Sequence, residues 1–410
     1  MRTPFRYLIG ITVGIVVGFL LETGTVAADI VDIVVDLSMR IGRYLLLPLI
    51  FFSFPVAVTQ LRRLKKLGSA AYRSLLYIVF SAAVLTVLGT MIAWIINIGR
   101  IPAIPGNPSD FSVMELGSVI EETIRMNSFR VFVGNSFFIL PLLLPAFLLG
   151  WHMYHDREIA EPVFNFFDSF SRLLYRINYY ILVLMPGMLA FLSMAVVIQA
   201  RQVVDFQRFI PLIAVSLGLV IVLLGGLFPF MLKKVRENRS PWKTIASLSD
   251  ALTGALVSAS PLFNYGNLTK NLKEKLKIRR HSAAFMIPIY LMFARAGTAM
   301  ISAICMLTVI RSYSSLEITL FQAAWTALFS FLVSFLLLAS PERGLSASLI
   351  ILGKLYGRGL DDGWLILAPV LPLLTMLTAL LDTVVSVLLL LLVNKKIGLE
   401  EAGANNELRV

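Results

Sequence analysis

The chain has 410 residues, 58% of them hydrophobic and 15% charged, with a formal net charge of +12. Soluble domains carry charge on about a quarter of their residues, so this composition excludes an ordinary soluble enzyme and leaves a polytopic membrane protein. The basic residues gather in short runs (Arg62 to Lys66, Lys233 to Lys243, Lys270 to Arg280, Lys395-Lys396). That is how cytoplasmic loops look, and it argues against a nucleic-acid partner.

Residues 5–21 read as a first span, anchored by Arg2 and Arg6 on the cytoplasmic side and without a convincing small-residue cleavage site after it. A tilted second span covers 30–61 and a third 71–98. The polar, Pro- and Gly-containing stretch 99–130 reads as an external loop. A fourth span follows at 131–153 and a long fifth at 161–199, expected to break or kink at Pro186-Gly187. The sixth covers 206–232. Next comes 244–269, only moderately apolar, interrupted by Ser258-Ala-Ser-Pro-Leu-Phe-Asn-Tyr-Gly-Asn267 and flanked by basic clusters on both sides. If both ends are cytoplasmic, it enters and returns as a re-entrant hairpin, which needs protein or a water-filled cavity around its tip. A second stretch of this shape, about 317–353, is interrupted at Ser340-Pro-Glu-Arg-Gly-Leu-Ser346. A seventh span, about 281–311, lies between the two, and an eighth, about 363–394, follows.

Arg295 is the sole formal charge between Ala283 and Ile310. At about 1.5 Å per helical residue it lies about 20 Å from either end of its span, beyond the reach of snorkelling. It must therefore face protein, a cavity or a ligand. One cysteine, Cys305, precludes an intrachain disulfide, and His152, His155 and His281 lack a third ligand for a metal. No nucleophile–base set or phosphate loop is present, so neither an enzyme nor a cofactor is expected. The partners expected are the lipid bilayer and a small organic anion or amino acid.

Paired broken segments, each followed by a full span, point to inverted repeats and a transporter's binding site. In order along the chain, several stretches resemble the dicarboxylate/amino acid:cation symporter family, the glutamate transporter homologues. They are Leu8 to Gly18, Leu47-Pro-Leu-Ile-Phe-Phe-Ser53, Lys66-Leu-Gly68, Asn135 with Pro141, and Tyr175-Arg176 with Pro186. Lys273-Glu274, Pro288, Gly297-Thr298-Ala299 and Ala379-Leu-Leu-Asp382 continue the series. The resemblance covers nearly the whole chain and is distant. It implies an all-α membrane protein of eight transmembrane helices plus two re-entrant hairpins, working as an elevator and assembled as a homotrimer in the cytoplasmic (inner) membrane; the Lys/Arg distribution puts both termini inside. It implies scaffold spans within 1–70 and 131–200. The mobile transport domain would comprise 71–98 and 206–396, with 397–410 as a cytoplasmic tail.

The chain departs from the family at the sodium sites. Where the family has Asn-Met-Asp-Gly-Thr, this sequence has Ala294-Arg295-Ala296-Gly297-Thr298. Asp382 aligns with the aspartate that holds a substrate amino group. Val385 replaces the substrate-binding arginine, and Leu389 and Val393 replace a sodium-binding Asn and Asp. Sodium needs converging oxygens, so the sequence predicts sodium independence, with Arg295 as a tethered cation and Asp382 as its partner. Two other roles stay open: a lock between two helices, or a bidentate clamp on a substrate carboxylate. Candidate substrate-binding residues are Arg295, Asp382, Ser258, Ser260, Asn264, Thr298 and Ser340. Glu342 and Arg343 read equally well as a solvated tip. A receptor or structural trimer on the same fold, or an anion-conducting pore, remains the alternative to a transporter.

Overall fold

Hydropathy sets the architecture: every element among the described residues is helical. The structure, a computed structural model, describes residues 3–21, 26–102, 121, 138–155, 157–203, 205–236, 240–314, 317–337 and 344–399. Asn135, Ser340, Glu342, Arg343, nearly all of the expected external loop and the tail from 400 onward lie outside the described residues.

The helices are α1 (Thr3–Leu20), α2 (Val26–Arg43), α3 (Leu46–Arg63), α4 (Leu67–Ile96), α5 (Leu140–His152) and α6 (Arg157–Arg201). α7 (Ile210–Val222) continues through a π-helical turn, Leu223–Leu227, into α8 (Phe228–Val235). After α9 (Pro241–Ser247) come α10 (Ser249–Ser258) and α11 (Tyr265–Glu274), then α12 (Arg280–Phe293) and α13 (Ala296–Tyr313). α14 (Leu320–Leu336), α15 (Gly344–Tyr356) and α16 (Leu371–Ile397) complete the chain, with a 3₁₀ segment, Gly363–Val370, before the last. Among the described residues, six helical stretches are long and apolar enough to cross a membrane. Pro4–Leu20 and Leu140–His152 are shorter apolar helices.

Three boundaries differ from the sequence reading. The second span is two helices, broken at Tyr44-Leu45. Pro48, in the first turn of α3, has no amide to offer the Tyr44 carbonyl, so a continuous helix would lose that bond. The fifth span is not broken at Pro186-Gly187: it is one helix, Arg157–Arg201, and it packs along α1. Gly10, Gly14 and Gly18 of α1 lie against the backbone carbonyls of Pro186, Ala190 and Met194, where an added Cβ would collide at Gly10 and Gly14 and crowd Met194 at Gly18. Small residues spaced in this way let two membrane helices approach closely. The seventh span is likewise two helices, interrupted at Ala294-Arg295.

Burial separates the central helices from the outer ones. In the 18-residue apolar window of each stretch, 94% of the residues are buried in α12–α13 and 89% in the α16 stretch, against 33% in α4. α13 packs on α4, α14, α15 and α16; α1 and α2 pack on α6; α3 packs on α5 and α12. The Thr59 hydroxyl ties α3 to α5 by donating to the Pro55 and Gly150 carbonyls, each at 2.9 Å. α10 and α11 have 10 residues each, about 15 Å of helix and half the thickness of a bilayer's hydrocarbon. α10 lies against α16, α6 and α1, which positions the turn joining it to α11 inside the bundle.

Candidate functional site

In an uninterrupted helix the amides of Gly297 and Thr298 would donate to the carbonyls of residues 293 and 294. Here both donate to Asp382 Oδ1 of α16, at 2.7 and 3.1 Å. The Thr298 hydroxyl donates to Asp382 Oδ2 at 2.6 Å. A carboxylate from a different helix thus caps the start of α13, where unpaired amides and the positive end of the helix dipole favour a negative group. The backbone around it follows. The Arg295 amide turns back to the Phe293 carbonyl at 3.0 Å, and the helical ladder restarts with the Ala299 amide on the Arg295 carbonyl at 2.9 Å.

Gly297 makes this approach possible. A Cβ there would stand 2.9 Å from Asp382 Oδ1 and overlap Leu381. Arg295 occupies the N-cap position of α13. Its Nη1 lies 3.7 Å from Asp382 Oδ2, with the two side chains 3% and 4% exposed. At that separation the pair is electrostatic, longer than a direct hydrogen bond. The guanidinium faces the protein interior and not lipid, as its mid-span position requires. On α16 the hydroxyls of Thr383 and Ser386 are used locally, donating to the carbonyls of Ala379 and Asp382 at 2.7 Å each. Val385, Leu389 and Val393 are buried in the apolar core.

Ser258, Ser260 and Asn264 lie together at the turn between α10 and α11. α10 ends at Ser258 with Ala259 in the left-handed region, φ 51°. The Ser258 hydroxyl donates to the Ser260 carbonyl at 3.2 Å and accepts from the Ser260 amide at 3.3 Å. Ser260 Oγ accepts from the Phe263 amide at 3.2 Å. These hydroxyls fix the turn, the usual use of serine next to a helix end. Asn264 differs. Its fully buried amide fills the space beside Gly254, and among the described residues neither its Oδ1 nor its Nδ2 has a hydrogen-bond partner. A buried amide in that condition needs a ligand or water for its polar ends.

The structure therefore brings Arg295, Thr298 and Asp382 into one constellation and Ser258, Ser260 and Asn264 into a second. Sequence reasoning missed the helix break at Ala294-Arg295 and the role of the Gly297 and Thr298 amides. The adjacent Gly-Thr pair after a mid-span charge was the available signal. It also missed the Lys275–Asp250 ion pair, Nζ to Oδ2 at 2.6 Å, which joins the two arms of the α10–α11 segment at their base. Among the described residues no group of three His, Cys, Asp or Glu side chains converges as a metal site would.

Residues 4–396 match the Sodium:dicarboxylate symporter family. A Proton/sodium-glutamate symport protein of Geobacillus stearothermophilus is 20% identical over 238 residues, 54% of this chain and 56% of its own. A protein of the same description from Bacillus caldotenax is 20% identical over 325 residues, 75% of each chain. A Proton/glutamate-aspartate symporter of Bacillus subtilis (strain 168) is 22% identical over 209 residues, 47% of this chain and 48% of its own. The chain thus spans about half the length of two of these three relatives.

Proposed function

Because the chain belongs to the sodium:dicarboxylate symporter family, a family of symporters and not of enzymes, we propose that it is a secondary transporter of a dicarboxylate, an amino acid or a similar small organic anion, with Arg295 in place of a bound sodium ion. The observation that carries this reading is the Arg295–Asp382 pair, buried at an unwound point in the middle of a span. A guanidinium there supplies fixed positive charge and directional donors. The positions that align with sodium ligands beyond it, Leu389 and Val393, are buried apolar side chains that offer no oxygen.

In this reading α10–α11 and α14–α15 are the two re-entrant hairpins, and they complete an arrangement of eight spans. α1, α2, α3, α5 and α6 form a scaffold, and α4, α7, α8 and α10 through α16 form a transport domain that moves past it as an elevator. The mutual packing of α13 with α4, α14, α15 and α16 supports that division. The protein is a homotrimer in the cytoplasmic membrane with both termini inside. Asn264, with Ser258 and Ser260 fixing its turn, and Ser340 from the second tip contribute substrate contacts beside Thr298.

Uptake of labelled aspartate, glutamate and succinate into proteoliposomes, with and without a sodium gradient, tests this. Uptake that proceeds equally in both conditions is expected; strong dependence on sodium overturns the substitution by Arg295. One observation favours a second reading, a non-transporting receptor or structural trimer: Asp382 is engaged by two amides, a hydroxyl and a guanidinium within the protein itself. A thermal-stability screen against organic anions separates the two, because a ligand that binds the native state raises its midpoint. A flat response across the panel favours the second reading.

A further inference from the structure

A cavity of about 470 Å³ opens between α6, α11 and the start of α12, away from the Arg295 constellation. Five of its lining side chains are cationic (Arg172, Arg176, Lys270, Lys273 and Arg280) and one, Glu274, is a carboxylate. Behind them Asp168 pairs with Arg172 Nε at 2.9 Å and with Arg280, which leaves the lining with an excess of positive charge. Lys270 Nζ stands 4.5 Å from the centre of the Tyr179 ring, a cation–π contact that holds its charge at the cavity wall. Burial, and then the charge of Arg280, depress the proton affinity of Lys273. Like charges held this close repel one another and favour an anion among them.

The surroundings say what kind of anion. On α6, beside the cavity, Leu173, Tyr179, Tyr180 and Val183 are exposed at 50%, 53%, 70% and 53%. They form an apolar surface of the sort a bilayer covers. A cationic recess beside a lipid-facing apolar strip suits a molecule with an anionic head and hydrocarbon tails. Arginine pairs with phosphate oxygens bidentately, and lysine adds point charge.

We propose that this cavity binds the phosphate-bearing headgroup of an anionic phospholipid, whose acyl chains lie along the exposed face of α6. Because its walls come from α6 on one side and from α11 and α12 on the other, the bound headgroup bridges α6 to the α11–α12 pair, which packs against it only lightly. The site is independent of the substrate and of the role of Arg295.

The test uses the full chain in nanodiscs of phosphatidylcholine alone, of phosphatidylcholine with phosphatidylglycerol, and of phosphatidylcholine with added inorganic phosphate. Native mass spectrometry counts retained lipid, and thermal unfolding is scored against each protein's own midpoint in neutral lipid. Phosphatidylglycerol is expected to be retained and to raise the midpoint. The double variant Arg176→Gln/Lys270→Gln, which leaves the Asp168 pairs intact, should bind it about thirtyfold more weakly, two charges at about 1 kcal/mol each. If the double variant does not fold, Arg176→Gln alone is compared with Arg176→Lys, and only the former should lose the shift. Equal behaviour in neutral and anionic lipid overturns the proposal, as does a shift that survives loss of the charges. An equal, charge-dependent response to inorganic phosphate alone overturns the lipid assignment in favour of a soluble phosphate.

Discussion

Thr298 and Asp382 are 84 positions apart in sequence, yet the Thr298 hydroxyl donates to the Asp382 carboxylate at 2.6 Å. That bond and the two amide bonds beside it hold α13 to α16 where the seventh span is unwound. Asp382→Ala removes the acceptor of all three donors and the carboxylate facing Arg295. Breaking a buried ion pair in this way costs about 3–5 kcal/mol. Thr298→Val removes one hydrogen bond to a charged group, about 1.5–3 kcal/mol, and Thr298→Ser should be nearly neutral. Unfolding in detergent measures the order; equal loss in all three variants would refute the capping role.

The close approach of α1 to α6 gives a second prediction. Gly14 has no room for a Cβ beside the Ala190 carbonyl and the Ser193 hydroxyl, whereas Gly187 on α6 has nothing within 4 Å. Gly14→Val should force the helices apart and lower the unfolding midpoint sharply. Gly187→Ala should raise stability by about 0.5–1 kcal/mol, the ordinary gain for a helical position. A stable Gly14→Val variant would mean that α1 does not depend on that contact.

Much of this architecture was legible because a bilayer admits few solutions: long apolar runs must be helices, and a charge mid-span must face inward. The burial of Arg295 and its partnership with Asp382 followed from that constraint and from the resemblance. The breaks were less legible. Pro186 looked like a helix breaker, but membrane helices tolerate proline when neighbours pack closely, and α1 does so here. The break at Arg295 leaves no proline or glycine signature at the residue itself. It arises because a carboxylate from α16 captures two amides, a tertiary effect for which Gly297-Thr298 after the charge is the one local hint. The turn serines illustrate the same limit: their spacing marked a polar tip, while their hydrogen bonds show them fixing backbone.

Lys273 gives a pH prediction. Burial and Arg280, with Arg172 adding to the repulsion and Glu274 opposing it, lower its pKa from the ordinary lysine value. The unfolded chain therefore binds the proton more tightly than the folded one. Between the depressed pKa and the ordinary one, stability rises with pH as the folded state sheds that charge first. Below this window the charged lysine is a standing cost. Lys273→Met should then raise the midpoint near neutral pH and flatten its rise toward alkaline pH, both recorded in neutral lipid. An unchanged pH profile in the variant would show that Lys273 is not the group responsible.

Replacing Arg295 discriminates most directly between a tethered cation and a helix lock. Arg295→Met leaves Asp382 with its three hydrogen bonds but without the guanidinium at 3.7 Å. If the charge serves the transported anion, uptake falls about thirtyfold or more, the rate equivalent of about 2 kcal/mol lost with a buried charged contact. Added sodium should not restore it, because Leu389 and Val393 present hydrocarbon where an ion would need oxygen. Sodium responsiveness is expected only when oxygens return together, in Arg295→Met combined with Ala294→Asn, Ala296→Asp, Leu389→Asn and Val393→Asp. Measuring uptake and unfolding on the same preparations separates the roles. A lock predicts loss of stability and transport in proportion, whereas a tethered cation predicts that Arg295→Met loses transport far beyond its loss of stability. Rescue of the single variant by sodium would mean that a site for the ion already exists within the fold, and the guanidinium would then be no substitute for it.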